Sequence, residues 1–208
     1  MMKYPDEILG AIGVSRETTD RLELLVSLLE KWNPVINLVS RSSMIDVWGR
    51  HVLDSAQIYN LAPLGVGHWV DFGSGGGFPG LVIACIAAEL QPEMRLTLIE
   101  SDHRKAEFLR QACRNLGLST QVAAERIEAV PPLHADVVSA RALSSLDCLL
   151  AYTQRHISQG GMALFPKGSN YLVDVAAAKS SWVFACEAIP SKTEPDAVIL
   201  KVRDLRHV

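Results

Sequence analysis

His68-Trp-Val-Asp-Phe-Gly-Ser-Gly-Gly-Gly-Phe-Pro-Gly80, followed by Leu81-Val-Ile-Ala-Cys-Ile-Ala-Ala88, is the stretch that decides the fold. The apolar residues around Asp71 read as a strand, Gly73 to Gly80 as a tight turn, and the second apolar run as a buried helix. Glycine at 73, 75, 76, 77 and 80 serves two needs. It allows positive φ angles, and it leaves a backbone bare enough for a ligand to lie against. A ligand on this turn would sit at the carboxyl edge of a parallel sheet.

The turn alone does not name that ligand. Gly75-x-Gly77-x-x-Gly80 fits the dinucleotide fingerprint. Read from Asp71, the same residues resemble the Asp-x-Gly-x-Gly-x-Gly motif of S-adenosylmethionine-dependent methyltransferases. An ordinary glycine turn between strand and helix is a third reading. Arg95-Leu-Thr-Leu-Ile-Glu100 is a second apolar strand with a carboxylate at its tip. Glu100 there can accept hydrogen bonds from both ribose hydroxyls of a nucleoside. It also suits the N-terminus of the helix that starts near His103, just after Asp102. Both cofactors carry a ribose, so Glu100 supports a nucleoside site without separating them.

Residues 15–60 read as helical, with Ser15 as a cap and Leu22, Leu25, Val26, Leu29 and Trp32 on one face. Asn33-Pro34 is expected to end that first helix. A second helix is expected from about Ser43 to Tyr59, and no flexible linker precedes the first strand. Strands are then expected at 68–72, 95–100, about 119–123, 135–139 and 162–165. Helices are expected at about 79–90, 103–116 (closed by Gly117) and 145–156. This alternation predicts a doubly wound parallel sheet. The tail differs: Trp182–Ile189 and Ala197–Arg203 are two strands joined by a polar turn. A terminal antiparallel hairpin on a parallel sheet is the expected ending of a class I methyltransferase fold, and it favours S-adenosylmethionine over a dinucleotide.

Composition permits a full core, with 208 residues, 49% hydrophobic and 21% charged. The run 80–90 is too short for a membrane span, and Met1–Glu7 lacks the order of a signal peptide. The four widely spaced cysteines contain no C-x-x-C pair and point to free thiols, with no metal site expected. A net charge of −3 means that any RNA contact must come from a local basic face. Arg104, Lys105, Arg110 and Arg114 at helical spacing read mainly as a solvated face, with nucleic-acid contact as the lesser reading.

Several segments together resemble the ribosomal small-subunit methyltransferase G family, also called glucose-inhibited division protein B. They are Lys31-Trp-Asn33, Asn37-Leu-Val-Ser40, Arg50-His-Val-Leu-Asp-Ser55, Asp71 through Gly80, Leu98-Ile-Glu-Ser101, Arg104-Lys-Ala-Glu-Phe-Leu109, Ser139-Ala-Arg-Ala142 and Lys167-Gly168. The resemblance runs over nearly the whole chain in matching order. It implies a Rossmann-like α/β core over 63–208, seven-stranded and mostly parallel, with an N-terminal helical extension over 1–62. It further implies transfer of the S-adenosylmethionine methyl group to N7 of one guanosine, position 527 of 16S rRNA in the small ribosomal subunit. The protein is then expected to be cytoplasmic and monomeric, with no membrane partner.

Cofactor contacts implied for this chain are Asp71, Gly73, Gly75, Gly77, Phe78, Glu100, Ile127, Glu128 and Arg141, with Glu125 competing for the role of Glu128. On the acceptor side stand Arg141, His51 and Lys167. Each has a plainer reading. Arg50 and Asp54 can form an intrahelical ion pair, with His51 as a packing histidine. Arg141 can touch guanine or a phosphate, or pair with Asp71 or Glu100. Lys167 can hold a phosphate or be a solvated loop lysine. Guanine N7 carries a lone pair and no proton, so no general base is required. The chain also lacks Asn/Asp-Pro-Pro-Tyr and any Pro-Cys. Two alternatives remain at this point, a nicotinamide-dependent oxidoreductase and a non-catalytic rRNA-binding assembly factor.

Overall fold

The computed structural model describes residues 13–208. The expectations about Met1–Glu7 and the first part of the 1–62 extension lie outside them. Seven strands form one sheet in the order β3-β2-β1-β4-β5-β7-β6. They are β1 (His68–Phe72), β2 (Arg95–Ile99), β3 (Gln121–Ala123), β4 (Ala135–Ala140), β5 (Ile157–Lys167), β6 (Trp182–Pro190) and β7 (Val198–His207). The first five run parallel, and β7 enters antiparallel between β5 and β6. The parallel sheet with its closing hairpin therefore stands as expected.

Every residue of β1 is buried, because helices cover both faces of the sheet. Alternation along β1 sends Trp69 to one face and Val70 and Phe72 to the other. The Trp69 face is covered by α1 (Arg16–Ile36), α4 (Gly80–Leu90) and α5 (His103–Leu116). The Phe72 face is covered by α6 (Leu146–His156) and α7 (Tyr171–Ala178). Between α1 and β1 lie α2 (Arg41–Met44), a π-helical turn (Trp48–Leu53) and α3 (Asp54–Tyr59).

Two expectations need correction, and one helix lies where none is expected. First, α1 does not stop at Asn33-Pro34 but runs through Pro34 to Ile36. Proline removes one N–H, and here it does so in a last turn that is closed by other means. Asn37 adopts φ 49 and bonds the Asn33 carbonyl at 3.0 Å, and the Asn33 side chain accepts from the Val39 N–H at 2.9 Å. Ile36 is buried in the core, which further favours keeping that turn. Second, the expected helix 43–59 is broken into three pieces, the middle one a π-helical turn. The segment between β5 and β6 contains the unexpected helix, α7, whose exposed Leu172 and Val173 hide the usual amphipathic signal.

The helical extension is tied to the core by polar contacts as well as by α1's apolar face. Ser15 Oγ and Thr18 Oγ1 both donate to Glu89 on α4. All four cysteines are free thiols, with Cys85 and Cys113 buried and Cys148 and Cys186 exposed. No helix among the described residues is long and apolar enough to cross a membrane.

Candidate functional site

A cleft of about 890 Å³ opens where β1, β2, β4 and β5 end. The glycine turn forms its inner wall. Ser74 N–H bonds Ile99 O at 3.0 Å and Gly77 N–H bonds Ser74 O at 2.7 Å, which pins the turn to β2. Gly75 has φ +54, and a Cβ built there would meet nothing closer than the Gly73 carbonyl at 3.7 Å. The backbone at Gly75 is therefore open to a ligand. Gly80 serves a different need: a Cβ there would press into Leu98 and sit 2.8 Å from Asp71 Oδ2, so α4 can approach β1 and β2 only with glycine at that point.

Glu100 faces the cleft and is 8% exposed. Its Oε2 accepts from the Gly75 N–H at 2.8 Å and its Oε1 from the Asp102 N–H at 2.7 Å. Glu100 therefore orders the glycine loop, the cap of the following helix is Asp102, and one acceptor position stays free on each Glu100 oxygen.

Asp71 lies behind the wall. It is fully buried, and its Oδ1 accepts from Ser139 Oγ at 2.6 Å, while Ser139 Oγ in turn accepts from Trp69 Nε1 at 2.9 Å. Burial pushes the Asp71 carboxyl up to about 6, against the pull of Ser139, Ser74, Arg141 and the nearby Gly80 amide. Its Oδ2 makes no hydrogen bond of ordinary geometry. Asp71 thus braces the turn through buried contacts.

The opposite wall is built around Arg141, the first residue after β4. Its Nη2 lies 2.7 Å from His51 Nδ1, and its Nη1 donates to Arg50 O at 2.9 Å and to Asp54 Oδ2 at 3.4 Å. The π turn makes this possible. In an α-helix the Asp54 N–H would bond Arg50 O; here it bonds Gly49 O and His51 O, so the guanidinium can take the Arg50 carbonyl. Phe78 packs beneath both partners, with its ring 4.8 Å from that of His51 and 5.4 Å from Arg141 Cζ. The partner of Arg141 is Asp54, not Asp71 or Glu100, and the intrahelical Arg50–Asp54 pair is not formed.

Arginine offers only donors, so His51 Nδ1 must be bare and the ring proton sits on Nε2, which is buried without a partner. Burial, Arg141 and Arg50 lower the His51 pKa to about 3, so the ring is neutral.

Of the eleven site residues expected from sequence, the cleft brings together nine; Asp71 and Gly77 stand outside its lining. Ile127 is a buried apolar floor, and exposed Glu125 and Glu128 flank it. Lys167 reaches the cleft but is tethered to Asp174 of α7 at 3.1 Å. The turn joining β6 and β7 also lines the cleft, through Thr193, Glu194 and Ala197, and the sequence reading missed it. Thr193 Oγ1 donates to Asp54 Oδ1 at 2.8 Å, and Gln57 Oε1 accepts from the Lys192 N–H at 2.8 Å. No local signal marks Ser191-Lys-Thr-Glu194, because its partners lie more than 130 residues away.

A family model described as rRNA small subunit methyltransferase G (GidB) matches residues 18–198. The ribosomal RNA small subunit methyltransferase G of Ruegeria sp. (strain TM1040) is 51% identical over 197 residues, covering 95% of this chain and 96% of that protein. That of Ruegeria pomeroyi is 49% identical over 207 residues and covers 100% of both. Among solved structures, an S-adenosylmethionine-dependent methyltransferase from Aquifex aeolicus shares the fold, with a TM-score of 0.58 and 12% identity over 76% of this chain and 91% of its own.

Proposed function

The chain belongs to the rRNA small subunit methyltransferase G family, and from that membership we propose that it transfers the methyl group of S-adenosylmethionine to N7 of one guanosine of 16S rRNA, at position 527, in the small ribosomal subunit. The observation that carries this reading is the joining of two half-sites in one cleft. A bare glycine turn with Glu100 forms one, and the Arg141–His51–Asp54 cluster forms the other. Membership in a methyltransferase family displaces the nicotinamide alternative.

The residues present suit the cofactor. Gly75 leaves room for a ligand against the backbone, Glu100 has acceptor positions for two ribose hydroxyls, and Ile127 offers an apolar face for an adenine. Bound S-adenosylmethionine supplies an electrophilic methyl group on a sulfonium sulfur. The protein's own work is to align and to exclude water. Guanine N7 brings a lone pair and no proton, so no residue need act as general base. His51 is unsuited to that task, since Arg141 occupies Nδ1 and Nε2 is buried. We assign it instead to orienting Arg141, whose cation faces the electron-rich guanine edge or a phosphate. Lys167 adds a second cation on the acceptor side.

With its formal net charge of −3 the protein has little general attraction for RNA, so recognition depends on the folded shape of the ribonucleoprotein. It acts as a monomer in the cytoplasm, where small subunits are found. The test is incubation with S-adenosylmethionine and small subunits that lack the modification, followed by mass spectrometry of rRNA nucleosides. New N7-methylguanosine is expected. Its absence on both subunits and free rRNA, with cofactor binding demonstrated, overturns the reading.

A further inference from the structure

We propose that Glu194 reads the Watson–Crick edge of the acceptor base and so makes the enzyme choose guanine over adenine. This rests on the guanine-N7 reading above. Adenine also carries an N7 lone pair, so the alkylation itself cannot choose between the purines. The choice must be made where they differ. Beside N7, guanine O6 rather than adenine N6 suits the Arg141 cation. On the Watson–Crick edge guanine presents N1–H and the N2 amino group as two adjacent donors, whereas adenine presents a bare N1 next to its single amino group. A carboxylate suits the first and is repelled by the second, because its two oxygens accept both guanine N–H groups side by side.

Five carboxylates line the cleft: Asp54, Glu100, Glu125, Glu128 and Glu194. Asp54 is already committed to Arg141, Gln57 and Thr193. Glu100 holds the glycine turn, and Glu125 and Glu128 follow β3 on the cofactor side, next to Ile127. Glu194 stands on the acceptor side. Its neighbour Thr193 and Arg141 both bind Asp54, so only one side chain separates its turn from the guanidinium. Among the described residues the Glu194 carboxylate has no hydrogen bond or ion pair, and it is exposed to whatever enters.

The turn that carries it is held firmly. Ser191 N–H bonds Ala197 O at 2.9 Å and Ala197 N–H bonds Glu194 O at 3.1 Å, closing the loop on itself. Gln57, 6% exposed, clamps it from α3 by accepting from the Lys192 N–H at 2.8 Å and donating to Ser191 Oγ at 3.1 Å. The bracing fixes the backbone that carries the carboxylate, and the carboxylate itself is free to pair with a base that enters.

The experiment uses small subunits reconstituted with 16S rRNA that carries either guanosine or inosine at the acceptor position. Inosine keeps N7, O6 and N1–H and lacks only the N2 amino group. The wild type should prefer guanosine by about tenfold or more in kcat/KM, the worth of one lost charge-assisted hydrogen bond. Glu194→Ala should be slower on guanosine, with a guanosine-to-inosine ratio near one and unchanged S-adenosylmethionine affinity. A ratio retained in Glu194→Ala, or a wild type indifferent to inosine, overturns the assignment while leaving guanine-N7 transfer intact. A wild type that methylates neither subunit overturns the functional reading beneath it.

Discussion

Arg141 Nη2 and His51 Nδ1 lie 2.7 Å apart although 90 positions separate them in sequence. One follows a central strand of the sheet; the other sits on a π turn of the helical extension. The contact fixes the histidine tautomer, holds the guanidinium against Phe78 and closes one side of the cleft. It also agrees with a reaction that needs no general base, since the histidine it holds is neutral and has no free ring nitrogen.

Arg141→Ala should lower kcat/KM for subunit methylation by about 10²-fold or more, the usual result of removing one partner of a half-buried, hydrogen-bonded charge pair. His51 should respond as well. With the guanidinium gone, its pKa should rise above about 3, while burial, the larger cause, and Arg50 still hold it below the ordinary imidazole value. An NMR pH titration of the ring protons reads the shift directly. A histidine that still titrates near 3 would mean that burial alone sets its state.

The pH dependence of stability should separate two buried groups of opposite sign. Folded His51 stays neutral down to about pH 3, whereas an unfolded histidine takes a proton below about 6.5. Between those values the unfolded chain binds more protons. The stability linked to His51 is therefore complete above pH 6.5 and is lost as pH falls toward 3. Folded Asp71 has a pKa of about 6 against 3.8 unfolded, so its contribution is complete below pH 3.8 and is lost as pH rises through 6. Thermal unfolding of His51→Asn from pH 4 to 7.5 should show a shallower acid-side fall than wild type. Asp71→Asn should remove the decline on the neutral side.

Gly75→Arg should abolish S-adenosylmethionine binding and leave the fold largely intact. The position has φ +54, which costs a non-glycine residue about 1–2 kcal/mol, and the added side chain would point into the cleft. Calorimetric titration with the cofactor, beside a far-ultraviolet circular dichroism spectrum, checks both halves. Wild-type affinity in that variant would remove the cofactor from this turn.

Gln57→Ala should act on the acceptor side only. It deletes the clamp on the 191–197 turn and leaves the N–H of the exposed Lys192 to solvent, costing about 0.5–1.5 kcal/mol of stability. The KM for subunits should rise while the dissociation constant of S-adenosylmethionine stays at its wild-type value. A parallel loss of cofactor affinity would show that the turn supports the whole cleft.

Local sequence was enough for the parallel sheet, the closing hairpin, the glycine turn and Glu100, because each rests on a pattern within a few residues: alternation, apolar runs, glycines at a strand end. Through family resemblance it also singled out His51 and Arg141, which the fold brings to one cleft. It did not tell Asp71, a buried brace, from Glu100, a cleft carboxylate, since both sit at or near strand ends and differ only in which side their neighbours cover. Nor could it pair Asp54 with Arg141 instead of Arg50: α-helical spacing offers the nearer partner, and only the π turn, set by packing of Trp48 and Val52 into the core, turns the segment toward β4. The β6–β7 turn was silent for the same reason. Its residues acquire meaning only when folding brings them against Gln57 and Asp54, across more than 130 positions of chain.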